Sequence, residues 1–301
     1  DDITLAIVTG AGDGSKDLIL DAGDNGAISV TGAITNLTDL TITDSNGAIF
    51  GGVVNLANDF VVDASGGDII FNGFLTLPGD ITLAGVGFNL QLNAGGTITG
   101  ATTLGNTGTV SIGADGTTTQ FTGGLISIAG SSQNLNGTIK TIDTNMTISD
   151  GEAITLSGST TLSSIGTGVD GNDGNITLGG IVNSATEGTD ETLTVDVGTG
   201  TFQIGGIVGG VSNKALGAID INNTGGNFDL NAAITLAASI NVSGDSNLGN
   251  SITTSGAQTY GGTTTLSANI TLDSTGNEDS DDISLGIITA EANESLVLDA
   301  G

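Results

Sequence analysis

The hydrophobic pattern of this chain has a period of two, held only for bursts of three to five residues. Apolar side chains alternate with polar or small ones at Ile28–Val30, Leu40–Ile42, Phe60–Val62, Ile69–Phe71, Ile81–Leu83, Leu90–Leu92, Val110–Ile112, Ile126–Ile128, Met146–Ile148 and Ile154–Leu156. The second half continues with Leu193–Val195, Phe202–Ile204, Ile219–Ile221, Phe228–Leu230, Ile234–Leu236, Ile240–Val242, Thr264–Leu266 and Ile270–Leu272. Alternation sends successive side chains to opposite faces of an extended strand, so each burst predicts a short strand with one buried face. Turn residues punctuate the bursts, as at Asp44-Ser45-Asn46-Gly47, Gly66-Gly67-Asp68 and Asn93-Ala94-Gly95-Gly96. No window carries a sustained helical period with caps, so no helix is predicted.

The bursts are organised by an internal repeat. Asp281-Asp282-Ile283-Ser284-Leu285-Gly286-Ile287-Ile288-Thr289 echoes Asp1-Asp2-Ile3-Thr4-Leu5-Ala6-Ile7-Val8-Thr9, and Leu296-Val297-Leu298-Asp299-Ala300-Gly301 echoes Leu18-Ile19-Leu20-Asp21-Ala22-Gly23. A third copy runs from Gly174-Asn175-Ile176-Thr177-Leu178 to Leu193-Thr194-Val195-Asp196. Ile3 and Ile176 are 173 residues apart and Ile176 and Ile283 are 107 apart, giving a long period of 280. If every copy returns to the same face of a solenoid, a coil of about 21 to 22 residues divides these offsets into about eight and five coils, or about thirteen per period. A coil of about 35 residues divides them nearly as well.

Many short strands with glycine turns could close as a sandwich or a barrel, but those folds do not echo their own first strand at long range, whereas a solenoid adds coils indefinitely. The expected fold is therefore all-β, a right-handed parallel β-helix. Residues 1–301 form one continuous β-solenoid, with copies starting near residues 1, 174 and 281. Equivalent residues of neighbouring coils would stack at roughly 4.8 Å, making thirteen coils about 60 Å long, and corner asparagines would share amide bonds along the axis.

Composition narrows the function. The 33 acids face only Lys16, Lys140 and Lys214, a formal charge of −30, which excludes a basic nucleic-acid footprint and disfavours docking on an anionic membrane. The absence of Cys and His removes disulfides, thiolate metal sites and the commonest general base. No apolar run is long enough for a membrane-spanning helix. Asp1 is not preceded by a signal peptide, and the chain is expected to be an excerpt or a processed piece of an exported bacterial protein.

The run Gly256-Ala257-Gln258-Thr259-Tyr260, then Thr263-Thr264-Thr265-Leu266 and Asp282-Ile283-Ser284-Leu285, resembles the tandem β-strand repeats of large bacterial filamentous-haemagglutinin-like surface proteins. The resemblance is closest in the last third of the chain and implies a surface adhesin or exoprotein shaft. The Asn-Pro signature of that family's secretion domain is absent, so the likeness is to the shaft and not to the export signal.

Two acidic turns are the only candidate chemistry. Asp170, Asn172 and Asp173 in one, and Asp279, Asp281 and Asp282 in the other, gather oxygen ligands of the kind calcium takes about six to eight at a time. Neither matches the EF-hand spacing or the glycine-rich nonapeptide, and the competing reading is solvated turns whose Asp and Asn cap their own backbone. The carboxylate pairs Asp21 with Asp24 and Asp281 with Asp282 could be cast as a glycosidase acid and base, but no Arg or His accompanies them and Trp is absent. No catalytic residue and no resident cofactor other than calcium is assigned. Tyr260, the only tyrosine, is expected to pack in the core or at a corner.

The expected function is a non-enzymatic shaft segment of a bacterial extracellular adhesin, sheath or filament at the cell surface. Its partner would be itself, through end-to-end stacking or further tandem repeats. The alternative is a calcium-dependent module that binds a host or matrix glycan.

Overall fold

A computed structural model describes the chain except for residues 12–14, 85–86, 129, 167–171, 188–190, 211–213 and 276–280. The described residues contain no helix, and parallel strands stack into a β-solenoid of about 13 turns. The all-β, parallel β-helix expectation and the turn number both hold. Contacts divide the chain into two compact units, Asp1–Lys140 and Thr141–Gly301.

In the first unit each turn, or rung, carries three short strands, one on each face. One ladder joins Ile3, Ile28, Ala48, Ile69, Leu90, Val110 and Gln133 in register. Successive partners are 25, 20, 21, 21, 20 and 23 residues apart, close to the coil length expected. A second ladder joins Val8, Ile34, Val54, Leu75, Gly96 and the Thr119 strand. A third joins Leu18, Leu40, Phe60 and Ile81. Three residues suffice for each strand because an in-out-in triplet buries two side chains, while its backbone N–H and C=O groups point along the axis to the rungs on either side. The corner after the first ladder is a column of glycine, Gly32, Gly52 and Gly73. A Cβ on Gly52 would lie 2.4 Å from the Gly32 carbonyl carbon, and one on Gly73 would lie 2.0 Å from the Gly52 oxygen, so only glycine lets the rungs close up there.

The second unit keeps the parallel ladders but varies its turns. Thr160, Leu193, Ile219, Ile240, Gln258 and Ile283 form one ladder, with partners 33, 26, 21, 18 and 25 residues apart. Met146, Ile176, Phe202, Phe228, Ser246, Thr264 and Ile288 form another. Ile176 and Ile283 therefore face different sides, which corrects the expectation that copies of the repeat occupy equivalent positions. Any face accepts an in-out-in Ile-Thr-Leu triplet, and turn lengths absorb the difference, so a repeat offset need not be a whole number of coils.

Two bursts sit in a different phase from the one their alternation predicts. Leu125 and Ser127 point inward while Ile126 and Ile128 are exposed, because two adjacent apolar residues leave the alternation ambiguous and the turn at Gly124, with φ of 101°, sets the phase. Ser127 is then satisfied by donating to Gln133 Oε1 at 2.6 Å. At Ile234–Leu236 an irregularity in pairing with the next rung brings Ala237 inward in place of Leu236.

The interiors are aliphatic with local aromatic stacks. Phe50 and Phe71, on adjacent rungs, stack at 4.8 Å, and Phe60 meets Phe71 edge-on at 5.0 Å. Phe202 stacks on Phe228 in the second unit. Tyr260 is a core residue, as expected. Its hydroxyl donates to Gln258 Oε1 at 3.1 Å, Gln258 Nε2 donates to the Asp273 carbonyl at 2.9 Å, and burial pushes the phenol above its ordinary range.

Candidate functional site

The side chain that recurs most systematically is the Asp or Asn just before a strand. Asp39 Oδ1 accepts the Asp59 amide at 2.9 Å, and Asp59 Oδ1 accepts the Asp80 amide at 2.8 Å, each one rung on. Asp2 receives the Ala27 amide, Asn89 the Thr109 amide, Asn145 the Asn175 amide, Asn175 the Thr201 amide and Asn269 the Ser295 amide, all at 2.7–2.9 Å. The residue before a strand sits at a corner, where its own backbone turns away from the ladder and leaves a neighbouring N–H without a carbonyl partner. A short side chain ending in a carbonyl-type oxygen fills that gap. Corner asparagines were expected to share bonds along the axis; the structure has both Asp and Asn at these corners accept a backbone amide of the next rung. The visible signal was the repeated Asp/Asn-Ile-Thr-Leu element at residues 80–83 and 175–178.

The calcium candidates separate. Asp170 and Asp279 lie outside the described residues. Asp173 is a rung-to-rung clamp: Oδ2 takes the Thr199 amide at 2.9 Å and its hydroxyl at 3.1 Å, and Oδ1 takes the Gly166 amide at 3.1 Å. Burial pushes its carboxyl up, but these donors outweigh it and hold the group below the usual aspartate range. Asn172 beside it is exposed. Asp281 is buried and Asp282 is exposed, with the Asp282 carbonyl accepting the Gln258 amide, so the two carboxylates occupy different environments. Among the described residues no group of three or more acidic side chains is placed to hold a metal ion.

Two further carboxylates, Glu191 and Asp44, had no sequence signature. Glu191 is buried, at 7 % exposed, and accepts hydrogen bonds from the Ser184 hydroxyl and, at 2.7 Å, the Thr186 hydroxyl. Burial raises its carboxyl and the hydroxyl donors lower it, with a net position below the ordinary glutamate value. Asp44 is shifted the other way: partial desolvation, then the Asp24 carboxylate, with Asp21 adding to both, hold it above the usual range. The Asp21 and Asp24 pair is thus drawn together with Asp44 at one corner.

A surface depression of about 340 Å³ in the first unit is lined by Ala27, Ser29, Gly47, Ile49, Asp68 and Ile70. It is a shallow apolar trough between rungs, and no set of polar groups converges on it. No protein-family model, no curated protein and no solved structure matches this chain.

Proposed function

We propose that this chain is a shaft segment of a bacterial extracellular adhesin, sheath or filament, a non-catalytic spacer that works by length and stiffness. The observation that carries the reading is the repetition of the rungs. Their turns vary in length, but successive rungs share an apolar interior and parallel ladders, and corner Asp or Asn clamps recur in both units, as in the run Asp39, Asp59, Asp80. In such an array stability is a sum of rung and nearest-neighbour terms, so coils can be added without altering the others. The acidic, cysteine-free composition and the resemblance of the last third to filamentous-haemagglutinin-like repeats support the cell-surface setting.

Single-molecule pulling on the full chain between its termini tests the mechanical role. A shaft gives sequential steps of about one coil, each releasing roughly 70 Å of contour at about 3.4 Å per residue. Rupture at negligible force, or calcium-dependent capture of a polysaccharide in a glycan-binding screen, would replace the shaft with the binding-module reading.

A further inference from the structure

The interior of the first unit changes character partway along. On the first ladder the inward residues from Ile28 to Ile112 are all apolar, and the next rung then sets Gln133 beside Val110. On the second ladder Leu75 gives way to Gly96 and then Thr119, and on the third face Thr102 stands beside Leu125 and Ser127 beside Leu104. Ser127 is satisfied by Gln133 Oε1, but Gln133 Nε2 is left with no partner in the protein, and turning the amide over only changes which end is left over. Thr102 Oγ1, Asn106 Oδ1, Thr119 Oγ1 and Asn136 Oδ1 are buried and equally without a partner. Among the described residues one further buried side-chain atom, Asn247 Oδ1, shares this condition, so the deficit is concentrated in one stretch of the first unit. A polar interior is not by itself the cause. Ser45 meets Ser65 at 3.3 Å, Ser246 donates to Thr264 at 3.2 Å, and Gln258 donates to the Asp273 carbonyl at 2.9 Å. What sets the stretch apart is that its polar groups give up water without gaining a partner, while Gly96 and Thr119 bury less apolar surface than Leu75 does one rung earlier.

We propose that the rungs carrying Thr102, Thr119 and Gln133 are a yielding band, a built-in place where the solenoid opens locally while the rungs from Ala48 to Leu77 stay wound. Each rung touches only its neighbours, so its stability is its own packing plus two interfaces, and a local deficit is not averaged over the array. Opening falls where the folded rung gains least. The orphaned groups act in that direction, because opening returns each of them to water. The rungs of Phe50 and Phe71 are the contrast, with stacked rings and wholly apolar inward positions. A buried water could restore the missing bonds only where two to four polar groups converge, and these orphans are spread over three different ladders. In a spacer under tension such a band extends first, lengthening the molecule before the apolar rungs give way.

As a feature of a loaded shaft the band rests on the reading above, but the two fail in different measurements: hydrogen exchange locates the band without force, and pulling tests the load-bearing role. The experiment is native-state hydrogen exchange of the full chain in low guanidinium, followed residue by residue. The amides of Ser111, Gln120 and Ile126 are expected to exchange through a local opening at least about tenfold more populated than the one that exposes Ile49, Asn55 and Thr76. Thr102→Val and Thr119→Val, which put a methyl where the orphaned hydroxyl stands, are each expected to slow exchange in the band about tenfold and to leave Ile49 unchanged. Thr119→Ser keeps the orphan and gives no such slowing. Thr264→Val, which takes away the partner of Ser246, is expected to quicken exchange around Thr264. Protection as high in the band as at Ile49 and Thr76 would overturn the proposal. So would Val variants that leave exchange unchanged or quicken it, the latter being the sign of hydroxyls held by buried water, or a Thr119→Ser variant that slows it as much as Thr119→Val.

Discussion

Replacing Phe71 with alanine removes the centre of the aromatic stack in the first unit. The ring is 1 % exposed, lies 4.8 Å from Phe50 at an interplanar angle of 20°, and meets Phe60 edge-on at 5.0 Å and 86°. A buried Phe→Ala change costs about 3–5 kcal/mol through lost transfer energy and the cavity left behind. Each well-placed ring pair adds about 0.5–1.5 kcal/mol. Phe121 is equally buried but has no ring partner among the described residues, so it isolates the first contribution from the second. Phe71→Ala is therefore expected to cost about 1–3 kcal/mol more than Phe121→Ala, and a Phe50/Phe71 double-mutant cycle should return a coupling of about 0.5–1.5 kcal/mol. Guanidinium unfolding of the full chain gives the totals. Native-state hydrogen exchange gives the location, since rungs couple to nearest neighbours and protection should fall first at the amides of Ile49, Ile70 and Gln91. Equal costs for Phe71 and Phe121, with a coupling below about 0.3 kcal/mol, would show that the rings act as bulk filler and refute the stacking argument.

Other outcomes follow from the corners and the buried carboxylate. Asp59→Ala should cost about 1 kcal/mol by removing an exposed hydrogen bond to the Asp80 amide, while Asp59→Asn, which keeps the accepting oxygen, should stay within about 0.5 kcal/mol of the parent in urea melts. Glu191→Ala should cost about 2–3 kcal/mol at neutral pH through loss of two hydrogen bonds to a charge. Because its folded pKa lies below the unfolded value of 4.5, the ionisation-linked part of this stability is present above that value and fades as pH falls through the folded one. An Ala penalty that does not shrink between neutral and acid melts would contradict the assignment. Asp44 has the opposite sign: its folded pKa lies above 3.8, so its charge disfavours the fold once pH exceeds the folded pKa, and Asp44→Asn should raise the melting temperature at neutral pH and lose that advantage as pH falls toward 3.8. Chelation should leave the melting temperature nearly unchanged; a fall of roughly ten degrees, worth a few kcal/mol, would restore calcium to the structure.

Much of this architecture was legible in the alternation. Bursts such as Ile69–Phe71 and Leu193–Val195 became in-out-in strands in the expected phase, because a triplet with apolar ends has one way to bury both. Legibility failed where the sequence offered two answers. Leu125 beside Ile126 could be threaded in either phase, and the neighbouring turn decided. The face occupied by Ile176 could not be read at all, since it depends on the summed lengths of turns that vary from rung to rung. Interior polar residues such as Ser127, Gln133 and Gln258 were missed because their partners lie two to fifteen residues away at varied offsets, and no fixed local pattern marks the match. Within the acidic turns the residue types were read correctly as oxygen donors, but whether Asp173 faces an ion or the Thr199 amide is decided by the rung alongside, 26 residues further on.

The corner clamp uses a single oxygen, which aspartate and asparagine both possess. Asp39 and Asp59 perform with carboxylates the task that Asn145 and Asn175 perform with amides. Mutation between the two residues, or spontaneous deamidation of an ageing chain, therefore alters net charge at these corners while leaving the hydrogen bond in place. Charge and fold are inherited separately in such a molecule: its acidity can drift with the salinity or the surfaces it meets, over many substitutions, without the winding of the backbone registering the change.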